Sequence, residues 1–503
     1  MQANKSHIYK IDNRLTHIIA VSFKFRKGQM ENSCDLLITN ASAVIPKVGL
    51  IADTNIMIEE GKIKAFVTSS DGISASRKIN GQGKYVLPGV IDPHVHYGVY
   101  TPINEAARSE SRSAAVGGIT TMIRMLRLHG SYRTNLRDQL LASIGNHYID
   151  YSIHASILRP DHVEDLPYLK ELGINSLKIY MNLAGDLNRI HMDLKPGTHE
   201  ATDGQVNMTD ELVYSIVTEG ARMHSTLLVH AEDAAVCAKY MRQGSERETS
   251  SALEEWSKCR PAFSEARSIA KVSALARKAG GANLYFVHIG STAALNAIVS
   301  EREKGQSNYY LETCPHYLTH TTDFGDLKAK VTPPIRSKSD VQNMWSALRY
   351  GLVDTVGTDH VANRLEMKIG DGDIWSSLAG FPGVATMLPV LLSKGVNEHR
   401  INIEKVAEIT SYNTAKIFNM YPKKGTIQPG SDADLTIVDL DVERTVTPEM
   451  LQSYSDYSIY EGWKLKGWPL MTIVRGKIIM EDGQVRSDAL GHGEFIPRPS
   501  LVA

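Results

Sequence analysis

The sequence predicts an α/β protein: a (β/α)8 barrel with a small β-sandwich domain built from both chain ends. Three observations carry this. Eight apolar, strand-like runs recur through the middle of the chain, each followed by a helical stretch. Two regions of short alternating strands flank them, one near each end, and each is too small to fold alone. The chain has 503 residues, beyond the roughly 250–300 at which a single core stops growing, so a barrel with additions fits the length.

Taken in order, the first 29 residues carry Lys5, Lys10, Arg14, Lys24, Arg26 and Lys27 against Asp12. The apolar stretch Ile18–Phe23 is too short for a secretory core, and no small-residue cleavage site follows it. Residues 1–34 therefore read as a poorly ordered extension. From Asp35 the runs DLLITNASAVIP and NIMIEEGKIKAFV alternate, the second as a hairpin turning at Glu60–Gly61. DADLTIVDLD and MTIVRGKIIMEDGQV repeat that pattern near the end. Residues 35–87 and 424–485 are expected to share one sandwich, with 486–503 as a tail. Residues 88–423 hold the barrel runs: VLPGVIDPHVH, ITTMIRML, YSIHASI, NSLKIYM, STLLVHAED, NLYFVHIG, NYYLETCPHYL and VDTVGTDH. Apolar runs of this kind suit parallel strands buried on both faces. Between them Ala106–Val116, Thr209–Met223, Glu265–Lys278 and Asp340–Arg349 have helical periodicity.

Composition narrows the function classes. Lys+Arg is 55 against 56 for Asp+Glu, a net charge of -1, so no global field draws nucleic acid or anionic membrane. No window approaches the ~20 apolar residues of a spanning helix. The four cysteines lie apart without paired spacing, which suits a reducing, cytoplasmic setting and argues against a disulfide framework.

A barrel of this type places its active site at the C-terminal ends of the strands. The first run ends in Asp92-Pro93-His94-Val95-His96, and strand alternation points His94 and His96 to one face. Paired imidazoles at a barrel mouth are natural metal ligands. Alone they are weak evidence, but the fifth run ends at His230, the sixth at His288 and the eighth at Asp359-His360. Metal-ligating residue types at four strand ends point to a metal site. Lys178 lies within the fourth run, NSLKIYM. Beside two divalent cations its ammonium would be disfavoured, and a neutral amine can add CO2 to become a bridging carbamate.

With these residues in view, the chain resembles cyclic amidohydrolases of the dihydropyrimidinase/hydantoinase branch, with allantoinase and dihydroorotase as near relatives. The resemblance runs from about Asp35 to about Val485. It rests on LPGVIDPHVH, AVGGITTMI, SLKIYMN, VHAEDA, ARKAGGANLYFVHIGS, LETCPHYL, PPIRSKSD, VGTDH and NTAKIFNMYPKKGTIQPGSDADLTIVD. It implies that His94, His96 and Asp359 hold one zinc ion and that His230 and His288 hold a second. Carbamylated Lys178 and a hydroxide would bridge the two Zn2+, with Asp359 as the proton shuttle and His360 outside the ligand set. It further implies that main-chain groups at Thr332 and around Ala379–Gly380 bind the substrate ring, a small cyclic amide or ureide. A homotetramer or dimer is implied as well. An allantoinase-like enzyme or an acyclic urea or amide hydrolase would use the same site. A non-catalytic, dihydropyrimidinase-related scaffold is disfavoured because all six ligand positions are filled.

Two departures from the family pattern stand out. Hydantoinases place an oxyanion-stabilising tyrosine five residues after the bridging lysine, where this chain has Leu183. Tyr180, two residues past Lys178, could either pack in the barrel or supply the missing donor. Dihydroorotases follow H-x-H with Leu-Arg, the arginine gripping a substrate carboxylate, whereas Tyr97-Gly98 follows here. Finally, the connection from Gly185 to Asn207, with His191, Lys195, Pro196, Gly197, His199 and Gly204, is longer than in hydantoinases. It follows the fourth strand and so emerges on the catalytic face, where a long aperiodic segment is expected to cover the site as a lid.

Overall fold

The structure is a computed structural model and describes residues 33–244 and 252–499. The expected extension at 1–34 therefore lies outside the described residues, except that Ser33 and Cys34 already belong to the first strand.

The opening segment folds into β1 (Ser33–Ile45), β2 (Gly49–Glu59), β3 (Lys62–Val67), β4 (Ser74–Asn80) and β5 (Tyr85–Pro88). The β2–β3 hairpin turns at Glu60 and Gly61, with φ of 48° and 72°. Left-handed backbone at both central residues matches the right-handed twist of the flanking strands.

The barrel strands are β6 (Val90–His96), β7 (Ile119–Leu126), β8 (Asp150–Ser156) and β9 (Ser176–Tyr180), then, after a ribbon of β10 (Arg189–His191) and β11 (Asp203–Gln205), β12 (Thr226–His230), β13 (Asn283–Phe286) and β14 (Asn308–Thr313). The eighth strand is interrupted: β15 (Thr355–Val356) pairs with β14, and β16 (His360–Val361) pairs with β6. The break at Gly357-Thr358-Asp359 lets one strand serve both neighbours and close the ring. All these barrel pairings are parallel. The expected helices are present as Ile103–Val116, Asp210–Arg222, Ala262–Lys278 and Lys338–Arg349. Thr209 caps the second by accepting from the Leu212 amide, and Ser337 with Asp340 forms a capping box on the last.

The chain returns through β17 (Leu435–Thr445), β18 (Lys464–Val474), β19 (Lys477–Glu481) and β20 (Gln484–Val485). Among the described residues these join β1–β5 in one nine-stranded sheet, in which β17 pairs with β5, Ile437 opposite Val86. Ile38, Ile56 and Val86 from one chain end share a core with Leu435, Ile437 and Ile473 from the other. That shared core is why neither end suffices alone.

The lower barrel is filled rather than hollow. Ile91, Ile123, Leu228 and Tyr285 meet Phe418 and Met420 there. Below β8 the tail docks: the Tyr151 amide donates to the Glu494 carbonyl, and the buried Arg498 donates through Nε to Ser152 Oγ at 2.8 Å. Lys424 ties barrel to sheet. Its Nζ lies 2.7 Å from Asp150 of β8 and 3.3 Å from Asp432, and it also pairs with Asp434, all of them buried. Lys424→Met is expected to cost about 3–5 kcal/mol by leaving these carboxylates short of a cation, read as a lower urea midpoint.

Candidate active site

The site forms where the barrel strands end. His94 and His96 leave β6 on one face, their ring centroids 5.3 Å apart. Asp359 sits in the break of the eighth strand, and its Oδ1 lies 3.2 Å from Nε2 of both histidines. That spacing is close to the ~3.3 Å edge of a tetrahedron with ligand bonds of ~2.0–2.1 Å. His230 at the end of β12 and His288 just past β13 complete the ring of imidazoles. Their centroids are 4.6 Å apart, with His288 5.4 Å from His94. Lys178 of β9 is 1% exposed, and its Nζ has no hydrogen-bond partner among the described residues.

Carboxylates behind the histidines fix their protonation. His94 Nδ1 is 2.7 Å from Glu312 Oε1. Burial pushes Glu312 up to about 8, but the Tyr285 hydroxyl and the His288 amide both donate to it, so it acts as an acceptor here; Nδ1 then carries the proton and Nε2 presents its lone pair to Asp359. Two acceptors 3.2 Å apart with no proton between them call for a cation, and His94 Nε2 is buried without a hydrogen-bond donor. This donor set fits divalent zinc. Glu312 also accepts from Tyr285 Oη at 2.8 Å and from the His288 amide at 3.1 Å. His230 Nε2 lies 2.7 Å from Glu232, which Arg260 grips through two nitrogens at 2.9 and 2.8 Å. Against its burial, Arg260 and His230 hold Glu232 down at about 2.

Burial pushes His94 down to about 3, and it pushes Lys178 down to about 8 despite the attraction of Asp359. The imidazoles are thus neutral, with lone pairs able to bind a metal, and a usable fraction of the lysine is neutral amine at pH 7–8. Backbone strain gathers here too. His288 and Asp359 take φ of 44° and 52°, left-handed values that residues other than glycine seldom adopt outside over-determined sites.

These groups open into a cavity of about 500 Å³. Residues 85–479 match the family model described as the amidohydrolase family. The chain belongs to the amidohydrolase family. It is 31% identical to the L-hydantoinase of Paenarthrobacter aurescens over 90% of this chain and 96% of that protein. It is 31% identical to the D-hydantoinase of Rhizobium radiobacter, over 89% and 96%. The crystal structure of a dihydropyrimidinase from Brevibacillus agri NCHU1002 is similar at a TM-score of 0.82 and 27% identity, covering 93% of this chain and 99% of that one.

In this amidohydrolase the remaining expected residues fall as follows. Tyr180, Leu183, Thr332, Ala379 and Gly380 all line the cavity. Tyr180 is buried with its hydroxyl unpartnered among the described residues, and its ring lies 5.3 Å from Lys178 Nζ. Gly380 is less free than expected. Its amide donates to the Lys330 carbonyl and its own carbonyl accepts from Lys368 Nζ at 2.8 Å. His360 is turned away, with Nε2 3.0 Å from Glu110 and Nδ1 accepting from the Gly383 amide. The long connection after β9 is an ordered ribbon rather than an aperiodic loop, with Ile190 paired to Gly204. Asp186, Leu187, Arg189, Ile190 and His191 from it line the cavity wall.

Sequence reading missed Glu312, Glu232, Asp92 and Arg127. Asp92 accepts from the His94 amide and from Thr358 Oγ1 at 2.6 Å, bracing the first strand against the eighth. Glu312 and Glu232 did carry a signal, being acidic residues at strand ends beside the ligand candidates. Glu312→Gln is expected to weaken zinc retention 10–100-fold, the usual cost of losing the group that orients a ligating histidine. Competition against a chelator measures it.

Proposed function

We propose that this amidohydrolase opens the amide bond of a cyclic amide, ureide or imide. His94, His96 and Asp359 would hold one Zn2+, His230 and His288 a second, and Lys178, as its carbamate, would join the two. The observation that carries the reading is the convergence of His94 Nε2, His96 Nε2 and Asp359 Oδ1, with no proton between the first and the last, beside a buried, unpartnered lysine.

When bound, the zinc pair supplies a nucleophile at neutral pH and polarises the substrate carbonyl. The chain's own groups do the rest. The neutral Lys178 amine forms an N–C bond to CO2 and loses a proton, turning a cation into a carboxylate. Asp359 Oδ takes the proton released during attack and passes it to the departing ring nitrogen, which would otherwise leave as an unstable amide anion. The Tyr180 hydroxyl, whose protein neighbour is the Ser156 side chain, would donate to the developing oxyanion in the role that Leu183 cannot fill. Thr332 and the main chain at Ala379 hold the ring, and the ribbon after β9 excludes water. The reading extends to a cytoplasmic homotetramer or dimer, which sedimentation would distinguish. The central test is turnover of hydantoin, dihydrouracil and allantoin, assayed side by side with zinc content measured. Hydrolysis of at least one, lost on chelation and restored by zinc, is expected. Full zinc occupancy without turnover of any cyclic substrate would overturn the reading.

A further inference from the structure

Arg127 is the group in the cavity that the proposed chemistry leaves unexplained. It follows β7 at the barrel mouth, is 9% exposed and lines the same cavity as His96, Lys178 and Asp359. Its Nε is buried without a partner, and among the described residues no carboxylate, carbonyl or hydroxyl accepts from its guanidinium. The carboxylate that meets the Arg127 backbone is already used. Asp193 accepts from Arg124 Nη2 at 2.6 Å and from the backbone amide of Arg127 itself. The other buried guanidinium of this cavity, Arg260, is bound by Glu232, and Arg189 lies exposed at the rim.

A buried guanidinium without an anion is costly, and leaving one so is economical only if the anion arrives with a ligand. We infer that Arg127 binds a carboxylate carried by the substrate, so that the preferred substrates are anionic cyclic amides or ureides. This rests on the hydrolase reading above and narrows it. The planar fork of arginine matches a carboxylate through two parallel hydrogen bonds, and one fork suits one negative charge. The position next to β6 is also kept clear for this arrangement. Gly98 has φ of +91°, and a Cβ there would lie 2.4 Å from Arg124 Nη2. A side chain at that position would be strained and would press on Arg124, and the cation comes from the second strand instead.

The test uses zinc-loaded full-length protein and a matched pair of probes, 5-carboxymethylhydantoin and its uncharged carboxamide. The expected result is a kcat/KM ratio of acid to amide of about tenfold or more in the wild type, as charge-assisted bonds imply. Arg127→Gln should bring that ratio close to one, and Arg127→Lys should restore part of it. Calorimetric binding of both probes separates the two proposals. If neither probe nor hydantoin, dihydrouracil or allantoin is hydrolysed, yet the wild type binds the acid about tenfold more tightly and Arg127→Gln does not, the anion site stands and the hydrolase reading falls. If both are hydrolysed with a ratio near one, or if Arg127→Gln leaves the ratio unchanged, the anion site falls and the hydrolase reading stands. Equal binding with no hydrolysis overturns both.

Discussion

Lys178→Ala is expected to strip the protein of most of its zinc and of nearly all its hydrolytic activity. Lys178 is buried on β9 with its amine unpartnered, and burial already favours the neutral amine that carbamate formation needs. Among the described residues it is the one lysine lining the cavity, and so the one amine there that can take up CO2. Under the proposed assignment its removal would leave two cations facing each other without the charge that separates them. The loss should exceed the roughly 10–100-fold seen when only a group supporting a ligand is removed. Metal analysis after gel filtration, together with turnover, reads both effects. A short carboxylic acid added to the variant should restore some zinc and some activity by occupying the space of the carbamate. A variant with full zinc occupancy and normal turnover would remove Lys178 from the site.

The second large effect is expected from Asp359→Asn. The substitution keeps size and shape but replaces an acceptor oxygen with an amide nitrogen that holds no exchangeable lone pair. If Asp359 ferries the proton from the attacking water to the leaving nitrogen, kcat should fall by about 10²–10⁴. Metal binding should weaken as well, since Asp359 Oδ1 sits 3.2 Å from Nε2 of both His94 and His96. Measuring kcat at saturating zinc separates these losses. An unchanged kcat with zinc bound would assign the proton transfer to another group.

Much of this architecture was legible because the residues that build it obey short-range rules. Each of the eight apolar runs contains a barrel strand, and the turn expected at Glu60–Gly61 is present with both residues left-handed. Boundaries moved where a proline intervened. The helix expected from Ala106 begins at Ile103, after Pro102, and the one expected from Glu265 begins at Ala262, after Pro261, since proline is favoured at helix starts. What stayed hidden depends on barrel closure. Glu312 matters because β14 curls until its carboxylate meets a histidine 218 residues earlier. Arg127 looks like an ordinary exposed arginine until the neighbouring Asp193 is seen to be committed to Arg124. The break in the eighth strand is likewise invisible locally, because nothing in Gly357-Thr358-Asp359 says that the strand must change partners there. Length alone makes the connection after β9 look like an aperiodic lid, because the pairing of Ile190 with Gly204 over three-residue strands gives no periodic signal.

The sheet shared by the two chain ends sets a timetable for biosynthesis. β5 pairs on one side with β1, and its other side waits for β17. About 350 residues separate Pro88 from Leu435, so at ~5–20 residues per second a ribosome takes on the order of 20–70 s to deliver the missing strand. Through that interval the edge of β5 and the apolar face bearing Val86 and Ile38 have no permanent cover. The nascent chain must carry an open sheet edge while the whole barrel is made, which makes this end of the protein a natural client for chaperones that shield unfinished domains. The catalytic barrel can begin to form during translation, but the sheet that braces it is completed only once β17 to β20 have been made.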